Sequence, residues 1–349
     1  MEEKKVIRAA IIGSGQIART SHIPAYRSME NVEIVAVSDA NEAAAQRLAE
    51  DFDIPAYYQD STRMLREVKP DVVSICVPNK FHYPLTIEAL NAGCHVFCEK
   101  PPAMNPKEAL EMWQLAEKNG LLLTYDFHFR HGRNTAIAKE KIDKGDLGTV
   151  YYTKASWVRR RGIPGWGCFT NREMQGGGPL IDIGAHMLDL ACYLLDYPEI
   201  AYVCAGSFDK IGKTGRKGIM GEWNPDKYSV EDSLFGFISF TDGRVMQLET
   251  AFALNIKEKD KRNVELCGEK SGLSLFPLEI YQGAEMSNTA FPFIEDMELH
   301  TKALYNFIKA VRGEEKLLER QKEKRELLRR MNHKMSIEEI ADVLDMDVS

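Results

Sequence analysis

The 349-residue chain contains no run of about 18 apolar residues, the least a membrane-spanning helix needs, so a helical membrane protein is excluded. It also lacks a secretory leader: Met1-Glu2-Glu3-Lys4-Lys5 runs into a short apolar strand with no cleavage pattern, which predicts a cytoplasmic protein. Positive charge is not in excess. Forty-five Lys and Arg against 52 Asp and Glu leave a net charge of −7, which argues against nucleic-acid binding by bulk charge. The seven cysteines (Cys76, Cys94, Cys98, Cys168, Cys192, Cys204 and Cys267) are odd in number and scattered. Cys94 and Cys98 have no second pair to complete a zinc tetrad, so neither a disulfide framework nor a metal site is predicted. Most of them lie in apolar runs such as Ser74-Ile75-Cys76-Val77 and read as reduced, buried thiols. There is no internal repeat and no long linker. Hydrophobic residues make up 44% and charged residues 28%, ordinary globular usage that excludes a disordered or fibrous chain. The length suggests about two domains.

What is present begins with alternation. Apolar strands are read at residues 6–12, 33–37, 72–77, 95–98 and 121–125, with helical patterns between them near 17–29, 41–51, 84–92 and 106–119. Repeated βα units of this length imply a doubly wound, Rossmann-type parallel sheet. One further helix is read at about 132–144. The pattern then becomes β-rich, with runs at 149–158, 200–208, 233–240, 244–253 and 263–266, and Asp242-Gly243 as a hairpin turn. One clear helix (183–195) lies among them, and Leu304, Phe307, Ile308 and Val311 mark another. The expected architecture is α/β: a nucleotide-binding domain over residues 1–127, an α+β domain with a mostly antiparallel sheet over 128–312, and an atypical extension over 313–349.

Three motifs carry chemistry. Gly13-Ser14-Gly15-Gln16-Ile17-Ala18 is G-x-G-x-x-A between a strand and a helix, where glycines let a pyrophosphate approach the backbone. Asp39 ends the next strand, placed to accept ribose hydroxyls and to repel a 2′-phosphate. NAD is therefore favoured over NADP, with Ser38 and Arg19 able to soften that choice. Glu99-Lys100-Pro101 follows the fifth strand. Lys100 is either a proton-transfer group in a desolvated crevice or a surface lysine before a proline stop, and spacing alone leaves both open. Asp182, His186 and Asp189 recur at i, i+4 and i+7 after the triglycine Gly176–Gly178, which reads as flexible. They fit a carboxylate orienting a general acid/base, with a capping Asp and a satisfied structural His as the lesser reading.

These strings, together with Val77-Pro78-Asn79-Lys80-Phe81-His82 and Ala92-Gly93-Cys94-His95-Val96-Phe97-Cys98, resemble in order and spacing the Gfo/Idh/MocA oxidoreductases over about residues 5–312. The resemblance implies hydride transfer between a nicotinamide and a secondary alcohol of a sugar, glycoside or cyclitol. It implies Lys100, Asp182 and His186 as the catalytic set, with His186 removing the hydroxyl proton, Asp182 fixing its tautomer and Lys100 supporting the alkoxide. Gly13, Gly15, Gln16, Ile17, Asp39, Pro78, Asn79, His82 and Glu99 are the implied cofactor residues. A homodimer or homotetramer joined through second-domain sheets is implied as well.

For the substrate, His128 and Arg130 follow the sixth strand and read equally as crevice residues or as structural ones. Arg159-Arg160-Arg161-Gly162-Ile163-Pro164-Gly165-Trp166 is a basic loop with an indole suited to a sugar face, so Arg161 and Trp166 are substrate candidates. It resembles a branch of the family acting on glucosides, with C3 oxidation the first expectation. A charged sugar acid or plain solvated charge also fits three arginines. Two other functions use the same parts: an NAD-dependent glycosidase working by transient oxidation and elimination, and a non-enzymatic dinucleotide sensor. After Gly313 the resemblance stops. Residues 312–334 hold nine basic and five acidic side chains, and Ser336-Ile337-Glu338-Glu339 forms a capping box ahead of Ile340, Val343 and Leu344. This reads as a solvated helical extension.

Overall fold

The structure, a computed structural model, describes residues 5–292 and 296–318. Most of the expected extension therefore lies outside the described residues, its capping box included. The described chain forms two compact units, one running to His128 and resuming at Met297, the other spanning Phe129 to Asp296.

The first unit is built on six parallel strands, β1 (Ile7–Ile12), β2 (Val32–Ser38), β3 (Tyr57–Tyr58), β4 (Val72–Ile75), β5 (His95–Cys98) and β6 (Leu123–Tyr125). Their order is β3-β2-β1-β4-β5-β6, which reverses at β1 and so makes the sheet doubly wound. Three of these strands, β1, β4 and β5, are buried almost throughout, as continuous apolar runs in a parallel sheet must be. The helices start where side chains can satisfy their free N–H groups. Asn41 caps α2 (Glu42–Asp51) through Ala44 N, and Asp60 caps α3 (Ser61–Val68) through Thr62 N. The short α1 (Ile23–Arg27) precedes these two. After α4 (His82–Asn91), Asn105 caps α5 (Pro106–Asn119), which ends on Gly120 at φ 66°. β3 and α3 fall in a stretch where the sequence showed no readable period.

The helix Leu299–Val311 is a correction to the domain division read from the sequence. It lies after the second domain in the chain but packs in the first unit. Ala303, Leu304, Phe307 and Ile308 are buried together with Ile11, Ala18, Ile23, Tyr26 and Phe97. Burying each large side chain is worth roughly 1.5–3 kcal/mol, and it is this unit that offers the matching apolar face.

The second unit begins with α6 (Arg133–Asp143) and contains an eight-stranded sheet of order β16-β15-β14-β13-β7-β12-β11-β8. Its strands are β7 (Val150–Arg159), β8 (Ile200–Phe208), β11 (Ser233–Phe240), β12 (Val245–Ala251), β13 (Asp260–Gly268), β14 (Ser271–Leu275), β15 (Leu278–Gln282) and β16 (Ser287–Ala290). The short pair β9 (Lys217–Gly218) and β10 (Gly221–Glu222) stands apart. Every pairing in the large sheet is antiparallel except β7 with β12. The Asp242-Gly243 turn joins β11 to β12 as expected, with Gly243 at φ 89°. The short α7 (Arg172–Gln175) precedes the glycines, and α8 (Ala185–Leu194) packs against β7 and β13. Alternation then assigns each sheet residue to a face. Trp157, Arg159, Asp260 and Arg262 share the α8 face, while Tyr152, Tyr202, Phe235, Phe237 and Tyr281 share the opposite one. Among the described residues no helix is long and apolar enough to cross a membrane.

Candidate active site

In the first unit, the strand ends and the loops beyond them carry the predicted cofactor residues. Gly13 sits at φ 105°, and a Cβ there would lie 2.2 Å from the Cys76 carbonyl oxygen, so only glycine allows β1 to turn against the end of β4. Around Gly15 the space is open, the nearest heavy atom being 3.9 Å from a built Cβ. The Asp39 carboxylate is fixed from both sides. It accepts from Ser14 N at 2.8 Å and from Asn41 N at 2.8 Å, which leaves further lone pairs directed outward. An open glycine turn, a following helical segment and a locked acid at the end of β2 fit the pyrophosphate and ribose of a dinucleotide.

Beyond β5 lies a buried polar array. Glu99 is 8% exposed, and His22 Nε2 donates to its Oε1 at 2.9 Å. On the other side of that ring, Nδ1 lies 3.0 Å from Ser74 Oγ, which is 2.8 Å from the Tyr26 hydroxyl. Burial alone would raise the Glu99 carboxyl, but the hydrogen bond and charge of His22, helped by His300 and Lys100, hold it down at about 2. One strand over, Asp126 is fully buried at the end of β6 and hydrogen-bonds to His300 Nδ1 of the C-terminal helix. Burial and the neighbouring Glu99 raise the Asp126 carboxyl, with His300 opposing. The His300 ring resists protonation through burial, yet the Asp126 charge and hydrogen bond carry it up to about 9. His128 joins this group. Its Nδ1 is 3.7 Å from Asp126 Oδ1 and its ring centre 3.9 Å from that of His300. Asp126, His128 and His300 bring three possible ligand atoms together, and a second trio, His22 and Glu99 with the same Asp126, overlaps it. In the first trio, the protonated His300 pairs with the Asp126 carboxylate.

His82 sits differently from the sequence expectation. It is fully buried, with Nδ1 2.7 Å from the Pro101 carbonyl oxygen and Nε2 2.9 Å from that of Val77. Burial lowers its pKa against the pull of those carbonyls. The ring ties the Glu99–Pro101 segment to the end of β4, so it acts on a ligand only through the backbone it holds. Asn79 is buried beside it, and Lys100 is partly exposed.

In the second unit, Asp182 and His186 lie on one helical segment, a π-type turn at Leu180–Gly184 continuing into α8. The glycines before it are packed tightly, contrary to the flexibility read from the sequence. A Cβ on Gly178 would lie 2.1 Å from the Glu231 carbonyl oxygen, and Gly178 N donates to Glu231 Oε1 at 2.9 Å. Glu231 thus caps the segment that carries the predicted acid/base pair. His186 is buried in an aromatic box, its ring centre 5.3 Å from Phe129 and 6.0 Å from Trp157. Arg262 lies over the same two rings and over Phe276, at 5.1, 5.4 and 5.2 Å. Burial against them lowers the guanidinium pKa, with Asp260 opposing. Sequence reading missed Arg262 and Trp157, which meet only through the β7–β13 register.

Two predicted residues are placed otherwise. Arg130, a substrate candidate, is 8% exposed and forms a two-pronged ion pair with Asp189 through Nε at 2.7 Å and through Nη2, over the Tyr193 and Tyr197 rings. Its charge is spent inside the unit, and so is Asp189, the third member of the helical stripe. Arg161 stands at φ 54° with its carbonyl accepting from Ile219 N at 2.9 Å, a backbone role. Trp166 is 52% exposed with Phe169 at its edge, so its indole face is available.

Comparison with known proteins matches both units. Residues 7–127 fit the GFO/IDH/MocA oxidoreductase family with its NAD-binding Rossmann fold, and residues 135–274 fit the GFO/IDH/MocA C-terminal domain. The D-glucoside 3-dehydrogenase of Escherichia coli (strain K12) is 50% identical over 309 residues, 88% of each protein. A putative UDP-kanosamine synthase oxidoreductase subunit of Amycolatopsis mediterranei (strain S699) is 30% identical over 253 residues, 71% of this chain and 69% of that protein. Among solved structures, a levoglucosan dehydrogenase in complex with NADH and levoglucosan has a TM-score of 0.76 at 20% identity. That match covers 88% of this chain and 90% of the other, and it is a likeness of fold.

Proposed function

The chain belongs to the GFO/IDH/MocA oxidoreductase family, and from that premise we propose that it is an NAD-linked dehydrogenase oxidising the 3-hydroxyl of a glucoside. The observation that carries the substrate is the 50% identity, over 88% of both chains, to a D-glucoside 3-dehydrogenase. NAD over NADP rests on Asp39, whose locked carboxylate accepts ribose hydroxyls and repels a 2′-phosphate. Gly13, Gly15, Gln16 and Ile17 hold the pyrophosphate. Pro78, Asn79 and Glu99 line the nicotinamide ribose, and His82 positions that lining by tying Pro101 to Val77.

Once bound, the nicotinamide supplies the hydride acceptor. His186 takes the proton of the sugar hydroxyl, and Asp182 keeps its imidazole in the tautomer that can receive it. Lys100 donates to the developing alkoxide and carries the charge as the carbinol C–H bond breaks. Trp166 offers a face for the sugar ring, and His128 stands near the substrate as a secondary contact. The test is a screen of NAD and NADP against glucosides, free sugars, inositols and uronic acids, with NADH formation as readout. Glycoside cleavage without net NADH would favour transient-oxidation hydrolysis instead.

The same reading includes a homodimer or homotetramer in the cytoplasm. Support comes from the sheet face away from α8, where Tyr202, Phe208, Phe235, Phe237 and Tyr281 are each 37–55% exposed in the single chain. An apolar face of this kind marks a protein–protein contact, and a second copy of the sheet is its natural cover.

A further inference from the structure

Arg262 stands directly opposite Trp157 in the β7–β13 pairing. Its guanidinium rests on three ring faces, all within 5.4 Å of their centres. Two of those rings, Phe129 and Trp157, also box the His186 imidazole. The arginine therefore shares a wall with the proposed base. Among the described residues its side chain makes no hydrogen bond and no ion pair, and the residue is exposed. The Asp260 carboxylate that attracts it is already taken, by Arg159 Nε at 3.1 Å and Trp157 Nε1 at 3.1 Å.

A guanidinium lying over ring faces still offers the N–H groups of its edge, side by side in one plane. That edge matches two oxygen atoms presented together, and a fork already held by rings loses little freedom on engaging them. Arg159 sits on the other side of Trp157, 5.2 Å from the indole centre, but its charge is matched by Asp260. Arg262 is the member of the group whose charge no hydrogen-bonded carboxylate matches.

We propose that Arg262 sets the substrate specificity of this enzyme by taking a pair of sugar oxygens on its guanidinium edge beside His186. The inference rests on the dehydrogenase reading above and deepens it. The oxygen pair comes from one of two sources, the vicinal hydroxyls of a neutral glycoside or the carboxylate of a uronic unit, and the chemistry at Arg262 is shared.

The experiment compares wild type, R262M and R262K with saturating NAD. Methyl β-D-glucopyranoside and methyl β-D-glucopyranosiduronate are each assayed for NADH formation, and each is titrated by tryptophan fluorescence with NADH bound. Thermal unfolding and NAD affinity are measured on the same samples. R262M is expected to raise KM and the sugar dissociation constant by about tenfold or more, with kcat changed by less than about threefold, NAD affinity unchanged, and R262K recovering part of the loss. A loss on both sugars identifies the hydroxyl pair, and a loss confined to the uronide identifies the carboxylate. A folded R262M with unchanged KM and sugar affinity overturns the proposal while leaving the dehydrogenase reading intact. A wild type that neither binds nor oxidises either sugar overturns both.

Discussion

His300, carried by the C-terminal helix, hydrogen-bonds through Nδ1 to Asp126, a carboxylate buried at the end of β6 one strand away from Glu99. The pair brings a cation from a remote part of the chain to two carboxylates beside Lys100. Its pH signature follows from the raised His300 pKa of about 9 against an ordinary 6.5. The native state keeps a proton that the unfolded state has lost, so this stabilisation is full below about 6.5 and is lost as pH rises through about 9. Glu99 works in the other direction, its contribution present above 4.5 and lost as pH falls toward about 2. Denaturant titrations of wild type should lose roughly 1–3 kcal/mol between neutral and alkaline pH. H300Q should flatten that alkaline slope, and an unchanged slope would remove His300 from this role.

A second prediction concerns the acid at the end of β2. Asp39 is held by two backbone amides at 2.8 Å, so its replacement disturbs little packing but removes two acceptors for the ribose. D39A should weaken NAD binding by about tenfold to hundredfold, measured by fluorescence titration, and weaken NADP binding far less. Equal losses for both nucleotides would point to disruption of the glycine turn.

Arg130 and Asp189 yield a prediction about stability, not chemistry. Breaking a buried pair leaves an uncompensated charge, so D189A should lower stability by about 3–5 kcal/mol in urea unfolding. Replacing both partners, R130M with D189L, should return much of that loss. If instead R130M leaves stability intact and raises KM, Arg130 is a substrate residue after all.

The open sheet face makes a fourth prediction. F237E places a charge two residues from Phe235 on β11, on the sheet face shared with Tyr202 and Phe208 of the neighbouring β8. Light scattering should show wild type as a dimer or tetramer and F237E shifted to monomer, with circular dichroism unchanged. A monomeric wild type removes the assembly.

Much of this was legible in the sequence, for definite reasons. Buried parallel strands must be wholly apolar, so β1, β4 and β5 announce themselves as short runs ending in Gly13, Pro78 and Glu99. The glycine turn is legible because Gly13 has no room for a Cβ. β3 is a strand of two residues, too short for any period, and α3 was lost with it. The roles that escaped depend on long-range register. Arg130 meets Asp189 across 59 residues, and Trp157 meets Arg262 only because β7 pairs with β13. The C-terminal helix escaped for the same reason: it adjoins the second domain in sequence, while its apolar stripe matches Ile11, Tyr26 and Phe97 of the first unit. The triglycine misled because glycine marks close packing as often as freedom, and here Glu231 fills the space.

The proposed reaction passes a hydride from the glucoside carbinol carbon to NAD, with His186 and Asp182 managing the hydroxyl proton and Lys100 supporting the alkoxide. The most direct measurement is NADH absorbance on mixing the protein with NAD and methyl β-D-glucopyranoside, for wild type, K100M and H186A. Wild type should accumulate NADH in step with a keto-glucoside. Each variant should lose at least about a hundredfold in kcat while still binding NAD. Wild-type NADH formation undiminished in K100M and H186A, or sugar turnover with no NADH at all, would contradict the proposed reaction.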